Sequence, residues 1–286
     1  MKKWTTMIIG ALLTVSLAAC GNDTDKSAAP SAGNETTTNE SGKTAEQTAA
    51  VPTLDELLAK TGEATKALKS FTTEANIDQK IKLDAGEQSQ DQQVKTSLKM
   101  DIIKDPMMIY QEMELDMSGQ KQNVKQYITS DKIYSQVGDQ WVAIPEDQTK
   151  ALIEQLKASM NPEKELDQFK KVKEDVKITE EGDNYVLNAD VSGDNVKELA
   201  KSVMEQNGSD AQMKAMLDQM NIKSMKMKYL INKETSLMEK IDVEMMMEME
   251  QNNQKMTMDM KMDTSFSNHD KVAEIKIPQE ALDSAK

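Results

Sequence analysis

The chain is predicted to fold as an α+β protein: one large curved antiparallel sheet with helices gathered on one face. Three observations carry that expectation. From Phe71 onward apolar residues recur at every second position over long runs, the period of a half-buried strand. These runs are joined by short polar or Gly-containing corners, which favour antiparallel neighbours. Between them lie a few stretches whose apolar residues recur at intervals of three and four, the period of an amphipathic helix.

The folded part opens with a helix. Thr53 and Glu56 stand at capping-box spacing, and Leu54, Leu57, Leu58, Ala64 and Leu68 form its apolar stripe. Polar Ser70 ends that stripe, and a first strand follows in which Phe71, Thr73, Ala75, Ile77, Ile81 and Leu83 alternate with polar residues, with Gln79 breaking the pattern. A second strand carries Val94, Leu98, Met100 and Ile102, and after Pro106 a third carries Ile109, Met113, Leu115 and Met117. Three shorter strands, "NVKQYIT", "KIYSQV" and "WVAI", turn at Ser130-Asp131 and Gly138-Asp139.

A helical block with a stripe of Leu152, Ile153, Leu156 and Met160 comes next, and Asn161 before Pro162 reads as a helix start. Two strands flank the Gly182-Asp183 corner. Two further helices are expected, one on Val196, Leu199, Ala200, Val203 and Met204, the other on Met213, Met216, Leu217 and Met220, broken apart at Asn207-Gly208. The end is a meander of three long strands, then "EIKIP" and a short helical tail. The count is about eleven strands in antiparallel runs.

The N-terminus gives an address. Lys2 and Lys3 precede "MIIGALLTVSLA", a run shorter than a comfortable membrane span, so residues 1–19 read as a signal peptide. The run ends in "LAAC", which resembles the bacterial lipobox, and the expected lipidation site is Cys20. As Cys20 is the chain's one cysteine, no thiol remains for a disulfide, a metal or a nucleophile. Residues 20–52 contain no aromatic and almost no large apolar side chain, and so are expected to form a disordered tether. At about 5 to 6 Å times √n it spans roughly 30 Å, enough to clear lipid headgroups. Residues 53–286 are then one domain on the extracytoplasmic face of the cell membrane.

Formal net charge is −14, and all 35 basic residues are lysine. Such a chain repels nucleic acid and anionic lipid, so attachment falls to the acyl anchor and not to a basic patch. No enzyme is expected: there is a single histidine, no arginine to clamp phosphate and no glycine-rich phosphate loop. His269 reads as a solvated loop residue in "SNHD", and Trp141 as a strand-end core residue. No cofactor is called for.

The unusual feature is methionine, 23 residues of it. Met245, Met247 and Met249, then Met256, Met258, Met260 and Met262, fall on one parity either side of the polar "QNNQ", while Met246 points the other way. Met225, Met227, Tyr229, Ile241 and Val243 extend the same face. Three readings stand side by side. Methionine is an adaptable core filler; it is also a compliant wall for an acyl chain, since its rotatable bonds tolerate ligands of different length where a β-branched wall fixes one shape; and thioethers are soft ligands for Cu(I). The expected cavity lining is Met113, Leu115, Met117, Met225, Met227 and the seven hairpin methionines. The outward Glu244, Glu248, Asp259, Lys261 and Asp263 read as a solvated face with cross-strand charge pairing.

The order of these parts, together with "YITSDKIYSQVGDQWVAIP" and the closing "AEIKIPQEAL", resembles uncharacterised lipoproteins of Gram-positive bacteria grouped with LolA/LppX-like proteins. The resemblance covers most of residues 53–286. It implies a half-barrel of about eleven antiparallel strands with helices on the concave face, and a hydrophobic cavity that in relatives holds lipid acyl chains. A membrane-anchored lipoprotein that binds an acyl chain or lipid is therefore expected. The alternative is a structural or interaction lipoprotein with a filled core that assists an envelope partner.

Overall fold

Period-two alternation becomes eleven strands in the computed structural model, which describes residues 51–86, 88–159, 169–193, 195–196, 220–251 and 254–284. The strands are β1 (Ser70–Ala85), β2 (Gln88–Lys104), β3 (Met107–Met117), β4 (Gln120–Thr129), β5 (Ile133–Val137), β6 (Gln140–Ala143), β7 (Val176–Glu181), β8 (Asn184–Ser192), β9 (Met220–Asn232), β10 (Met238–Gln251) and β11 (Gln254–Ser267). All belong to one sheet of order β6-β5-β4-β3-β2-β1-β11-β10-β9-β8-β7, antiparallel at every pairing that joins them. The sheet is curved and unclosed, with β6 and β7 as its edges, which is the expected half-barrel.

The topology is two meanders sewn together at the middle. β1 to β6 step outward in one direction and β11 to β7 in the other, so the first and last strands meet in a central seam running from Thr72↔Ser267 to Asp84↔Lys255. One end of that seam is clamped. The Asp270 carboxylate accepts hydrogen bonds from the backbone N–H groups of Lys69 (2.6 Å) and Ser70 (3.3 Å), and the Asp270 N–H donates to the Ser70 carbonyl at 2.8 Å. Those donors hold the Asp270 carboxyl below the ordinary carboxylate range. Beside it the Asn268 amide donates to Thr72 Oγ1 at 3.1 Å.

Helix α1 (Leu54–Ala67) starts as its sequence dictates: the Thr53 N–H donates to the Glu56 carboxylate (2.9 Å) and the Glu56 N–H donates to Thr53 Oγ1 (3.3 Å). Its inner face is carried by Leu57, Leu58, Thr61 and Gly62, whereas Ala64 is only half-buried. Helix α2 (Glu146–Ser159) corrects the expected stripe. Thr149 and Ile153 are buried and Leu156 half-buried, a spacing of four and three, while Leu152 stands about 100° off that line and is 49% exposed. A short helix α3 (Gln279–Asp283) is the predicted tail and lies against β5 and β6. Met220 opens β9, paired with Met249, and does not close a helix. Met160, Asn161, Pro162 and the stripes from Leu199 to Leu217 lie outside the described residues; Val196 is described and fully buried.

The described helices cover the apolar face in two places. Under β8 and β9, Leu57 and Leu58 pack with Phe169, Val172, Leu187, Ala189, Val191, Val196, Ile222 and Ile231. Under β2 to β5, Ile153 packs with Ile102, Met107, Ile109, Ile128 and Ile133. The tight β3–β4 hairpin is set by Ser118 and Gly119, both at positive φ, with the Gly119 N–H donating to the Asp116 carboxylate at 2.7 Å.

Candidate ligand-binding face

Strand register places the predicted lining residues in rows across the sheet. One row reads Met117, Val94, Gln79, Met260, Met245, Met225, Val191 from β3 to β8. The next reads Leu115, Thr96, Ile77, Met262, Val243, Met227, Ala189. On the other side of the first lie Ile81, Met258, Met247 and Ile222, then Leu83, Met256 and Met249. Neighbours in a row stand about 4.8 Å apart, so thioethers on adjacent strands lie side by side.

The hairpin methionines and the β3 set share a face but not a patch. Between β11 and β3 lie β1 and β2, a separation of about 14 Å, bridged by Ile77, Ile81, Val94 and Leu98. Every methionine named as lining from Met113 to Met262 is half-buried, as is Leu115, whereas Ile109, Leu187 and Ile231 are 0% exposed. Met225, Met227, Met245 and Met247 touch the α1-side core, and Met262 packs near Met238, Ile241 and Val243. The rest of the wall is neither sealed nor bare.

Met246 is turned to the opposite side and 42% exposed, between Asp259 and Ser224. That side is the charged face foreseen from the sequence. Lys261 pairs with Glu244 (2.8 Å), Lys240 with both Asp242 (2.9 Å) and Asp263 (2.7 Å), and Glu248 with Lys223 and Lys255 (3.2 Å each). Hydrogen bonds from the lysines hold the Glu244, Glu248 and Asp263 carboxyls below their ordinary values. A trough of about 970 Å³ crosses this face from Glu114 and Lys121 to Asn188 and Asp190, and a smaller one of about 510 Å³ lies between Glu74 and Lys125. A wide twisted sheet is concave along one diagonal on each side. Charged and polar residues of the solvated side make up most of both linings, and Met227 and Met262 in the larger trough and Met113 in the smaller also contribute.

The same side carries an aromatic run. Tyr127 stacks on Tyr110 (4.9 Å between centroids) and on Trp141 (5.4 Å). Trp141 is thus half-exposed on the polar side and not a core residue. The Tyr110 hydroxyl donates to Glu112; burial and that carboxylate raise the phenol's pKa, while the hydrogen bond lowers that of Glu112.

His269 lies in the turn after β11, away from the methionine rows, and is partly buried, which lowers its pKa. A copper ion on the methionine face would therefore have thioethers and no imidazole. Among the described residues no group of three or more His, Cys, Asp or Glu side chains is arranged to hold a metal. No helix among them is long and apolar enough to cross a membrane. Cys20 and the tether up to residue 50 lie outside the described residues.

Several polar residues are buried among the described residues, and Gln79 and Thr61 are two that lie inside the apolar layer. Gln79 stood out only as a break in alternation; it is 8% exposed. Thr61 is fully buried on the inner face of α1, and its hydroxyl has no hydrogen-bond partner. The signal for Gln79 was the break itself; for Thr61 there was none, because threonine is unremarkable in a helix stripe.

Residues 53–286 match the model of a family described as of unknown function, DUF6612. No curated protein matches the chain. Among solved structures it is similar to LprF from Mycobacterium bovis, at 10% identity and a TM-score of 0.40 over 79% of this chain and 95% of that one. It is also similar to a DUF1329 family protein from Desulfovibrio piger, at 9% identity and a TM-score of 0.26 over 78% and 93%. A LolA superfamily protein from Nitrosomonas europaea gives 10% identity and a TM-score of 0.18 over 80% and 96%.

Proposed function

We propose, from the premise that the chain belongs to the family of unknown function DUF6612, that it is a lipid-anchored binding protein of the extracytoplasmic membrane face. Cys20 carries the anchor, residues 20–52 the tether, and the methionine-lined side of the sheet takes an acyl chain or similar hydrophobic ligand. The protein performs no catalysis on it. One observation supports this reading above the others: the methionines of the rows from Met117 to Met225 stay half-buried beside clusters that are sealed. An apolar surface of several hundred Å² left part-open is where a partner or ligand is expected. Methionine is the side chain that reshapes around ligands of different length.

The test is native mass spectrometry of the purified chain with extraction of bound material. Acyl-bearing lipid is the expected cargo. A chain that arrives empty and ignores added fatty acids and phospholipids sinks the reading.

A second reading has its own support, because Met225, Met227, Met245 and Met247 already touch the α1-side core. On that reading the wall is packing, and the protein acts on an envelope partner through its charged side. Methionine-to-leucine changes then leave activity in cells intact, while reversing Glu244 and Lys261 disturbs it.

A further inference from the structure

We infer that the β6 edge of the sheet is a membrane-docking rim, with Trp141, Val142, Leu152 and Leu282 resting in the interface of a bilayer of net-neutral lipid. The inference rests on the proposed lipid anchor and adds the surface through which the anchored domain meets the bilayer.

The open sheet has two edges, and they are finished differently. β7 carries the exposed charges Lys177, Glu180 and Glu181, a guard against pairing with a stray strand. β6 reads Gln140, Trp141, Val142, Ala143 and carries no charge. Successive residues of a strand point to opposite sides, so Trp141 meets solvent on the polar side and Val142 on the helix side. Val142 is 48% exposed and Trp141 half-exposed.

Neighbouring elements add to this edge. The large apolar side chains that stand exposed among the described residues are Val51, Val142, Leu152, Met246 and Leu282. Three of them belong to β6, α2 and α3. α2 begins at Glu146, directly after β6, and α3 lies against β5 and β6. The apolar face reaches the same edge, because the row that holds Met113 runs through Val124 and Val137 to Gln140.

Tryptophan beside exposed aliphatic side chains, on a protein otherwise charged outside, suits a bilayer interface: the indole lies at headgroup level and the aliphatic groups reach the acyl boundary. A bilayer fits this rim better than an added protein strand does, for two reasons. β6 is four residues long and offers such a strand few ladder bonds. The tether holds the domain within roughly 30 Å of lipid, so a contact weak in itself forms at high effective concentration. Charge selects the lipid. Exposed Glu146 and Glu280 stand beside the rim, and with a formal net charge of −14 they repel anionic headgroups. An acyl chain leaving a docked bilayer enters the apolar face along the row that ends at Gln140.

Trp4 and Trp141 are the chain's two tryptophans, so in a Trp4→Phe background all indole emission comes from Trp141. The full chain with this change, purified from membranes, is reconstituted into phosphatidylcholine vesicles with brominated or plain acyl chains. Emission is expected to be quenched in brominated lipid, and less so when half of the lipid is phosphatidylglycerol. Val142→Asp and Leu152→Asp, at exposed sites, should each lower the ratio of docked to free domain about tenfold, the effect of withdrawing one large apolar side chain from lipid. Met246→Asp, also at an exposed site but on the charged face, should leave that ratio unchanged, and urea midpoints confirm that all three variants fold. A chain that floats with the vesicles yet emits equally in brominated and plain lipid overturns the docking rim while the anchor stands. Equal losses in Met246→Asp and Val142→Asp overturn it as well, and stronger quenching with phosphatidylglycerol overturns the choice of neutral lipid. A chain that does not float with the vesicles removes the anchor, and this inference with it.

Discussion

Two parts of the same apolar layer are built from different materials. Under β2 to β5 the core is mostly isoleucine: Ile102, Ile109, Ile128, Ile133 and Ile153, all 6% exposed or less, with Met107 the one methionine among the buried members. Across β9 to β11 the middle of the layer is methionine and half-buried, from Met225 and Met227 to Met262, with Ile222, Ile231, Ile241 and Val243 sealed around it. β-Branched side chains have few rotamers and fix one shape, whereas methionine has three soft torsions and fits several. One sheet thus combines a rigid anchorage and a compliant wall, and the boundary between them falls near the seam of β1 and β11.

That contrast can be broken first where it is strongest. Ile109→Ala, at a 0% exposed site, should lower unfolding free energy by about 3 kcal/mol in urea denaturation. A loss below about 1 kcal/mol would mean that this core is as yielding as the methionine wall. Next, replacing Met245, Met247, Met258 and Met260 together by leucine should change stability by less than about 1.5 kcal/mol, since volume is conserved. The same variant should accept a narrower range of chain lengths in lipid-binding assays. Unchanged range would favour the filled-core reading.

A gain of stability would sharpen the comparison further. Gln79→Leu, at a site only 8% exposed within an apolar row, is expected to stabilise the chain by about 1 kcal/mol, because it places apolar surface where a polar side chain now sits. A loss of similar size would show that the amide already has a partner.

The smallest effect serves as a control on both halves. His269 has a folded-state pKa below its unfolded value, so protons bind the unfolded chain better. The associated stability is present above about pH 6.5 and is lost as pH falls through the folded value. Urea midpoints should therefore fall modestly between pH 7.5 and 5.5 in wild type, in Ile109→Ala and in the methionine variant alike, and much less in His269→Gln. Unequal falls would tie the histidine to one half.

Local structure was legible because each signal is short-range. The capping box at Thr53 and Glu56, the corners at Gly138-Asp139 and Gly182-Asp183, and the parity of the hairpin methionines all act within a few residues. Strand count followed from the same alternation. The pairing of Thr72 with Ser267 did not, since nothing in either segment names a partner so far along the chain. Leu152 and Trp141 were misplaced for a related reason: an apolar residue at the margin of a stripe or strand reads as core until its neighbours are known. Gln79 was visible as an irregularity, but its meaning needed the row of side chains that only strand register assembles.

The seam also sets a schedule. Each meander pairs strands that are neighbours in sequence, so each half can form as soon as it is made. β1 and β11 cannot join until residue 267 has left the ribosome, and any translocation pore, and until then the long edge of β1 has no partner. A newly made chain therefore passes through a period in which its longest sticky edge is open. Truncation anywhere within β11 would make that period permanent, and chaperones of the compartment would meet this protein chiefly through its first strand.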